Sequence, residues 1–473
     1  MDKAVSRKAT HVANATAAPY RTPDERSAEG RLIRDSVPRS SQAGWKLPEH
    51  RRDVVDLLEQ SNAGRLPRLI PIRFGRMSAS PFSFYRGAAA LMAADLATTP
   101  TSGLRVQACG DAHLMNFGGF ATPERNVIFD INDLDETLPA PFEWDLKRLA
   151  ASVVIAAQHL ELPYSDTVRL TTDLARGYRE HMHDYAYMRA LDVWYDRIDL
   201  QKYQDKSGDP DVVEHARKRI AQRIEVERRK TVPDHLYPRL VTEEGGRPRI
   251  KDEPPIIFHP DADLAPGLES GYAEALASYR ETLADHVRVL FDRFHLVDLA
   301  VKVVGVGSVG TMCGVGLFMA SDNDPLFLQI KEAKASVLEP YAGKSLYANH
   351  GQRVIAGQRI MQSASDVFLG WSRGKNERDF YVRQLRDMKM SVVIEALDAG
   401  LLRQYGRMCA HALARAHARS GDAAMIAGYM GSGGTFDDAI TEFATEYSTQ
   451  NRRDYREFIK AIREGRIQAV VED

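Results

Sequence analysis

Apolar residues recur at helical spacing in several stretches of the chain. Val54, Leu57 and Leu58 mark a helix within Pro48–Asn62, and the alanine-rich run Pro81–Thr98 predicts a second. LRVQACGDAHLMNFGGF then reads as a short strand ending in a glycine-bearing loop, and NVIFDINDLDE as an apolar strand running into a cluster of acids. Trp144–Leu160 is apolar almost throughout and too short for a membrane span, which predicts a buried core helix. Residues 165–230 read as helices. The last of them, VVEHARKRIAQRIEVERRK, carries acid and base pairs four apart, the pattern of a solvated face. Proline and glycine clusters in GGRPRIKDEPPIIFHP predict a linker or long loop. Residues 270–295 are helical, LVDLAVKVVGVGSVGTMCGVGLFMA is a glycine-rich hairpin, and PLFLQIKEA is the strand after it. From Ser336 to Asp473 helix dominates, most clearly in LLRQYGRMCAHALARAHARSGD. The first 45 residues are basic and hydroxyl-rich with few apolar positions, which predicts a flexible tail.

Composition narrows the function classes. The 473 residues hold 63 Lys plus Arg against 65 Asp plus Glu, a formal charge of -2, so nothing in the total favours nucleic acid or an anionic membrane. Cys109, Cys313 and Cys409 stand alone, which excludes a disulfide framework and CxxC metal sites. The N-terminus lacks the apolar core of a secretory signal, and a cytoplasmic address is the expectation. The length is expected to form one composite unit in four segments. These are a tail (1–45), a segment with the polar loops and a helical insertion (46–260), a glycine-rich β lobe (261–345), and a helical segment completing a larger lobe (346–473).

The densest chemical signal is Gly110-Asp111-Ala112-His113-Leu114-Met115-Asn116, followed across a strand by Asp133, Asp135 and Glu136. Phosphoryl transfer needs a carboxylate for the acceptor, an amide and a second carboxylate for Mg²⁺, and a cation for the nucleotide. Asn116 lies five residues after Asp111, the spacing of a kinase catalytic loop. The second signal is Gly305-Val306-Gly307-Ser308-Val309-Gly310. A dinucleotide-binding turn would need a helix from its third glycine, whereas β-forming residues follow here. A phosphate-covering loop between two strands fits better, and a tight structural hairpin is the plain alternative. Lys331, on the next strand, is the candidate nucleotide lysine, with Lys334 less favoured and Glu339 or Glu332 as its orienting acid.

GDAHLMN followed by INDLD resembles the loops of aminoglycoside phosphotransferases and choline kinases. That resemblance implies an α+β, kinase-like two-lobed fold that uses ATP and Mg²⁺. In it Asp111 is the catalytic base, Asn116 belongs to the catalytic loop and holds metal, Asp133 is the metal acid and Asp135 its helper. Gly305, Gly307, Ser308 and Gly310 cover the nucleotide and Lys331 binds it. The partners implied are a nucleotide and a small hydroxylated or aminated acceptor, with no nucleic acid or membrane. Cys109 replaces the histidine usual before Gly-Asp, and the glycine loop follows the catalytic loop, so such a fold is expected to be circularly permuted here, with an unusually assembled small lobe as the alternative. Asp145, in PFEWDLKRLAAS, resembles the acid that holds the catalytic loop in these kinases, with a plain helix-start acid as the alternative. Together with RMSASPFSFYRG, GQRIMQSASDVFLGW and LARAHARSGD, the motifs resemble the domain of unknown function 2252 family over about residues 48 to 460. Two rivals stand beside the phosphotransferase: a nucleotide-binding protein without turnover, and a Mg²⁺-dependent phosphohydrolase built on Asp111, Asp130, Asp133 and Asp135.

Overall fold

Short strands in the first half of the chain set out the polar loops. β1 (Arg105–Ala108) pairs with β4 (Leu138–Pro141), while β2 (Phe117–Ala121) and β3 (Val127–Ile131) form a hairpin extended by β5 (Ile198–Asp199), all antiparallel. The chain is seen here as a computed structural model describing residues 20–202, 236–259, 268–303, 305–374, 377–385 and 389–471, with a few positions between 218 and 226. The fold is α+β. The charged helix expected over residues 212–230 lies almost entirely outside the described residues.

Alternation of apolar side chains builds the larger sheet, which runs β12-β13-β11-β10-β9-β8. Its strands are β8 (Ile257–Phe258), β9 (His295–Lys302), β10 (Cys313–Met319), β11 (Pro325–Ala333), β12 (Gly370–Arg373) and β13 (Asp379–Gln384), paired antiparallel throughout. Val315, Leu317, Met319 and Phe327 enter one core with Leu236 and Leu240. Phe318, Leu326 and Leu328 enter another with Tyr279 and Phe291. This is the two-residue period of a sheet covered on both faces. Two expectations change here. The segment read as a linker forms the hairpin β6 (Val241–Glu244) and β7 (Arg247–Ile250), followed by edge strand β8. β12 and β13 come from the segment expected to be helical, so the sheet draws on residues 257–384.

The helical body surrounds Phe142–His159, in which every residue from Phe142 to Ala157 is buried. Helices Tyr164–Tyr187, Ala399–Ala418, Ala423–Met430 and Thr435–Arg463 contribute to the same core. Pro81–Thr98 is two helices, Pro81–Gly87 and Ala89–Leu96, rather than the single one expected.

The expected flexible tail is corrected over its described part, since Pro23–Ser36 is a helix with a Thr22–Glu25 capping box. Its Gly30 and Gly428 bring two helices so close that an added Cβ would lie 2.1 Å from Met425 O or Ser27 O respectively. The arginines that made the segment look disordered cap a helix. Arg34 donates to Tyr429 O (2.8 Å) and to Gly428 O, and Arg39 to Met430 O (3.0 Å), the last carbonyls of Ala423–Met430. Among the described residues no helix is long and apolar enough to cross a membrane.

Candidate functional site

One face of helix Phe142–His159 organises the loop after β1. Asp145, Arg148 and Ser152 are spaced three and four apart and therefore share a face. The Asp145 carboxylate accepts from the backbone N–H groups of Cys109 (2.5 Å) and Gly110 (2.9 Å), and Ser152 Oγ accepts from Leu114 N (3.1 Å). Arg148 holds Asp111 Oδ1 through Nε at 2.6 Å and also through Nη2. His417 Nε2 lies 3.1 Å from Asp145, and its Nδ1 lies 2.8 Å from the Tyr178 hydroxyl. Asp145 thus holds the loop rather than merely starting a helix. Gly110 is required at its position, since its φ is +82° and a Cβ would lie 2.4 Å from Glu136 O.

Asn116 Nδ2 donates to the Asp111 carbonyl (2.8 Å), which leaves its amide oxygen for another partner. Asp111 Oδ2 accepts no hydrogen bond among the described residues, and the nearest ring nitrogen, His113 Nε2, is 3.8 Å away. Met115 N donates to His113 Nδ1, so Nε2 carries the proton of the neutral ring. Burial, with Arg148 and Arg86 adding repulsion, keeps His113 well below its usual pKa and so neutral. Burial pushes the Asp111 carboxyl above its usual value against the opposing pull of Arg148, and Asp133 adds to the rise. At the position of the missing histidine, the Cys109 thiol donates to Asp133 O at 3.4 Å and links the two motifs directly.

Lys331 projects from β11 on the Phe327 face, opposite Tyr381 across the β11–β13 pair. Its Nζ lies 2.7 Å from Asp135 Oδ2 and 3.8 Å from Asp133 Oδ2, and the Tyr381 hydroxyl donates to Asp135 Oδ1 at 2.5 Å. Burial opposes the ammonium, but the Asp133 and Asp135 carboxylates outweigh it and raise the lysine well above its ordinary value. Burial likewise opposes the Asp135 carboxylate, and Lys331 and Tyr381 overcome it, holding the carboxyl low. Neither Glu332 nor Glu339 orients the lysine. Glu332 accepts from Met312 N, and Glu339 lies 3.8 Å from His350. Arg353 joins the acidic motif to the sheet by donating to the carbonyls of Thr137, Asp135 and Lys334.

The loop between β9 and β10 bends at Gly305 (φ +70°) and Gly310 (φ +88°). Arg76 donates to Gly305 O (2.7 Å), Arg65 to Val309 O (2.5 Å) and Leu66 N to Gly310 O (2.8 Å). Gly305, Val306, Gly307, Ser308 and Thr311 line one cleft of about 660 Å³ together with Asp111, His113, Asn116, Asp133, Asp135 and Glu136. Gly310 turns its carbonyl to Leu66 instead. Lys331 sits behind Asp135, and the lysine on the cleft surface is the less favoured Lys334.

Among the described residues no three His, Cys, Asp or Glu side chains gather as a metal cage. Mg²⁺ uses few protein ligands beside substrate oxygens. The chemistry of the donors fits it at Asp133, a third exposed and only loosely engaged, and at the Asn116 amide oxygen. Asp135 fits less well as a metal ligand, because Lys331 and Tyr381 take both of its oxygens. Asp130 is fully buried and bound to Arg415 (2.6 Å), Ser363 and Ile131 N, which removes it from the cleft.

Sequence reasoning passed over Arg148, Arg353, Tyr381 and His417. One signal existed for the first: an arginine inside an apolar, buried helix must have an anionic partner. A family model described as an uncharacterized protein conserved in bacteria (DUF2252) matches residues 65–461. No curated protein and no solved structure matches the chain.

Proposed function

The chain belongs to the DUF2252 family, and from the residues that line its cleft we propose an ATP- and Mg²⁺-dependent phosphotransferase acting on a small hydroxylated or aminated acceptor. One observation carries the reading. A glycine-rich loop and an Asp111–Asn116–Asp133 set, nearly 200 residues apart in sequence, line the same cleft. ATP and Mg²⁺, when bound, would supply the phosphoryl group and neutralise its charge.

In this reading Asp111, steadied through Oδ1 by Arg148, turns Oδ2 to the acceptor hydroxyl and receives its proton. Asn116 and Asp133 would hold the metal, and the backbone of Gly305–Ser308 would lie over the phosphates. Lys331 acts through its carboxylate partners, fixing Asp135 and lending positive charge beneath the acids. The sheet then serves as the small lobe and the helical body as the large lobe of a permuted kinase-like arrangement. The Cys109 thiol joins the two loops by donating to Asp133 O, which supports an assembled site without that histidine. The phosphohydrolase rival loses Asp130 to Arg415.

The test is ATP turnover by the full-length protein against a panel of hydroxylated and aminated compounds, with nucleotide affinity measured in parallel by calorimetry. Asp111→Asn is expected to abolish product formation while changing nucleotide affinity by less than about threefold. Product formation undiminished in that variant sinks the proposal. Nucleotide binding without transfer to any acceptor would favour the regulatory rival.

A further inference from the structure

The cleft also carries a group of cations that make no ion pair with a carboxylate among the described residues. Arg65, Arg73, Arg86 and Lys334 all line the cleft. Among the described residues their hydrogen bonds go to neutral groups. Arg65 donates to the carbonyls of Ser61 and Val309, Arg73 to Asn62 Oδ1 and Gly87 O, and Lys334 to Ala63 O. The buried Nε atoms of Arg73 and Arg86 have no hydrogen-bond partner. The contrast with Arg148 and Lys331 is sharp, since each of these is paired with a carboxylate.

Of the four, Arg65 and Arg73 brace the surrounding turns, whereas the Arg86 guanidinium makes no such brace. Its backbone carbonyl packs against the glycine loop, 3.4 Å from where a Cβ on Gly307 would sit. The residue is thus close to the glycine loop and within electrostatic reach of Asp111. Arg73 is buried and the other three are half-buried; carboxylates act on Arg65, Arg86 and Lys334 only from beyond ion-pair distance, and cations gathered in this way are arranged for an anion from outside.

We propose that this group of cations, centred on Arg86 with Lys334 beside it, binds a phosphate group of the ligand. The shared chemistry has two sources, the donor's polyphosphate or an anionic group on the acceptor itself. The inference rests on the phosphotransferase reading only for that choice of sources. Burial lowers the pKa of all four cations, in the direction a bound anion would reverse.

The experiment is calorimetric titration of the full-length protein with pyrophosphate, for wild type, Arg86→Gln and Lys334→Gln. Each variant is expected to bind at least about tenfold more weakly, and to melt no lower than wild type because an uncompensated buried charge has gone. Undetectable binding by wild type at millimolar pyrophosphate, or unchanged affinity in both variants, overturns the proposal. So does a weakened affinity accompanied by a lower melting temperature in both variants, which marks bracing residues. Repeating the titration with saturating ATP and Mg²⁺ assigns the source. Competition identifies the donor's phosphates, and simultaneous binding identifies an anionic acceptor. Because pyrophosphate binding does not require Asp111 to act as base, failure of Asp111→Asn to stop turnover would fell the phosphotransferase reading and leave this one to its own titration.

Discussion

Burial treats single charged residues in the cleft in opposite ways, depending on whether a partner is at hand. Lys331 and Asp135 stabilise each other, whereas Glu136, helped by the Val337 N–H (2.7 Å) and by Arg353 without an ion pair, does not overcome desolvation, and its carboxyl is pushed up to about 7. The unfolded chain releases that proton near 4.5. Between these values the folded protein holds a proton the unfolded one has lost, so stability falls as pH rises through the window and stays reduced above it. Glu136→Gln removes the penalty. At about pH 8 the variant should exceed wild type by roughly 1–3 kcal/mol, with the difference vanishing near pH 4.5, as read by urea denaturation at both. An equal gain at both values would mean that burial of the charge is not the cause. At this scale Asp111, Asn116 and Asp133 were legible because local backbone fixes their spacing. Arg148 was not, because its partner lies 37 residues away in sequence.

At the scale of elements, helix Phe142–His159 does two jobs with different faces. Its apolar residues build the core, and its Asp145–Arg148–Ser152 stripe fixes the loop that presents Asp111. Asp145→Asn keeps the shape but puts a donor in place of one acceptor oxygen, facing either Gly110 N or Cys109 N together with His417. A loss of about 2–3 kcal/mol is expected, seen as a lower denaturation midpoint at constant slope, together with reduced turnover. An Asn variant as stable as wild type would show that the carboxylate is not what holds the loop. The helix itself was legible from its apolar run, and so was the glycine hairpin from its small residues. β6, β7, β12 and β13 were missed because four- to six-residue strands with charged faces carry little periodicity, and neighbours in the sheet supply their pairing.

At the scale of the whole molecule, the described ends of the chain lie on the helical body while the cleft lies between that body and the sheet. Arg51 bridges Asp95 and Asp454, and Val470 N donates to Pro71 O, so the last helix is tied to the first third of the chain. The N-terminal helix packs through Gly30 against Met425. Gly30→Val, remote from every cleft residue, should lower stability by about 2 kcal/mol or more through overpacking, with nucleotide affinity unchanged in the fraction that stays folded. Thermal denaturation beside calorimetry checks both halves, and an unaltered melting temperature would mean that the helix is not docked as described.

The sequence by itself determined the α+β class, the core helix, the glycine hairpin and the local groups of acids, because each depends on neighbours a few residues apart. Only the tertiary structure decided which charges meet. It gave Lys331 to Asp135, Asp130 to Arg415 and Asp111 to Arg148, and it left Arg86 lining the cleft with no ion pair among the described residues. Electrostatic pairing acts through space over a few ångströms at low dielectric, and separations of up to 285 residues between partners leave no trace in local pattern.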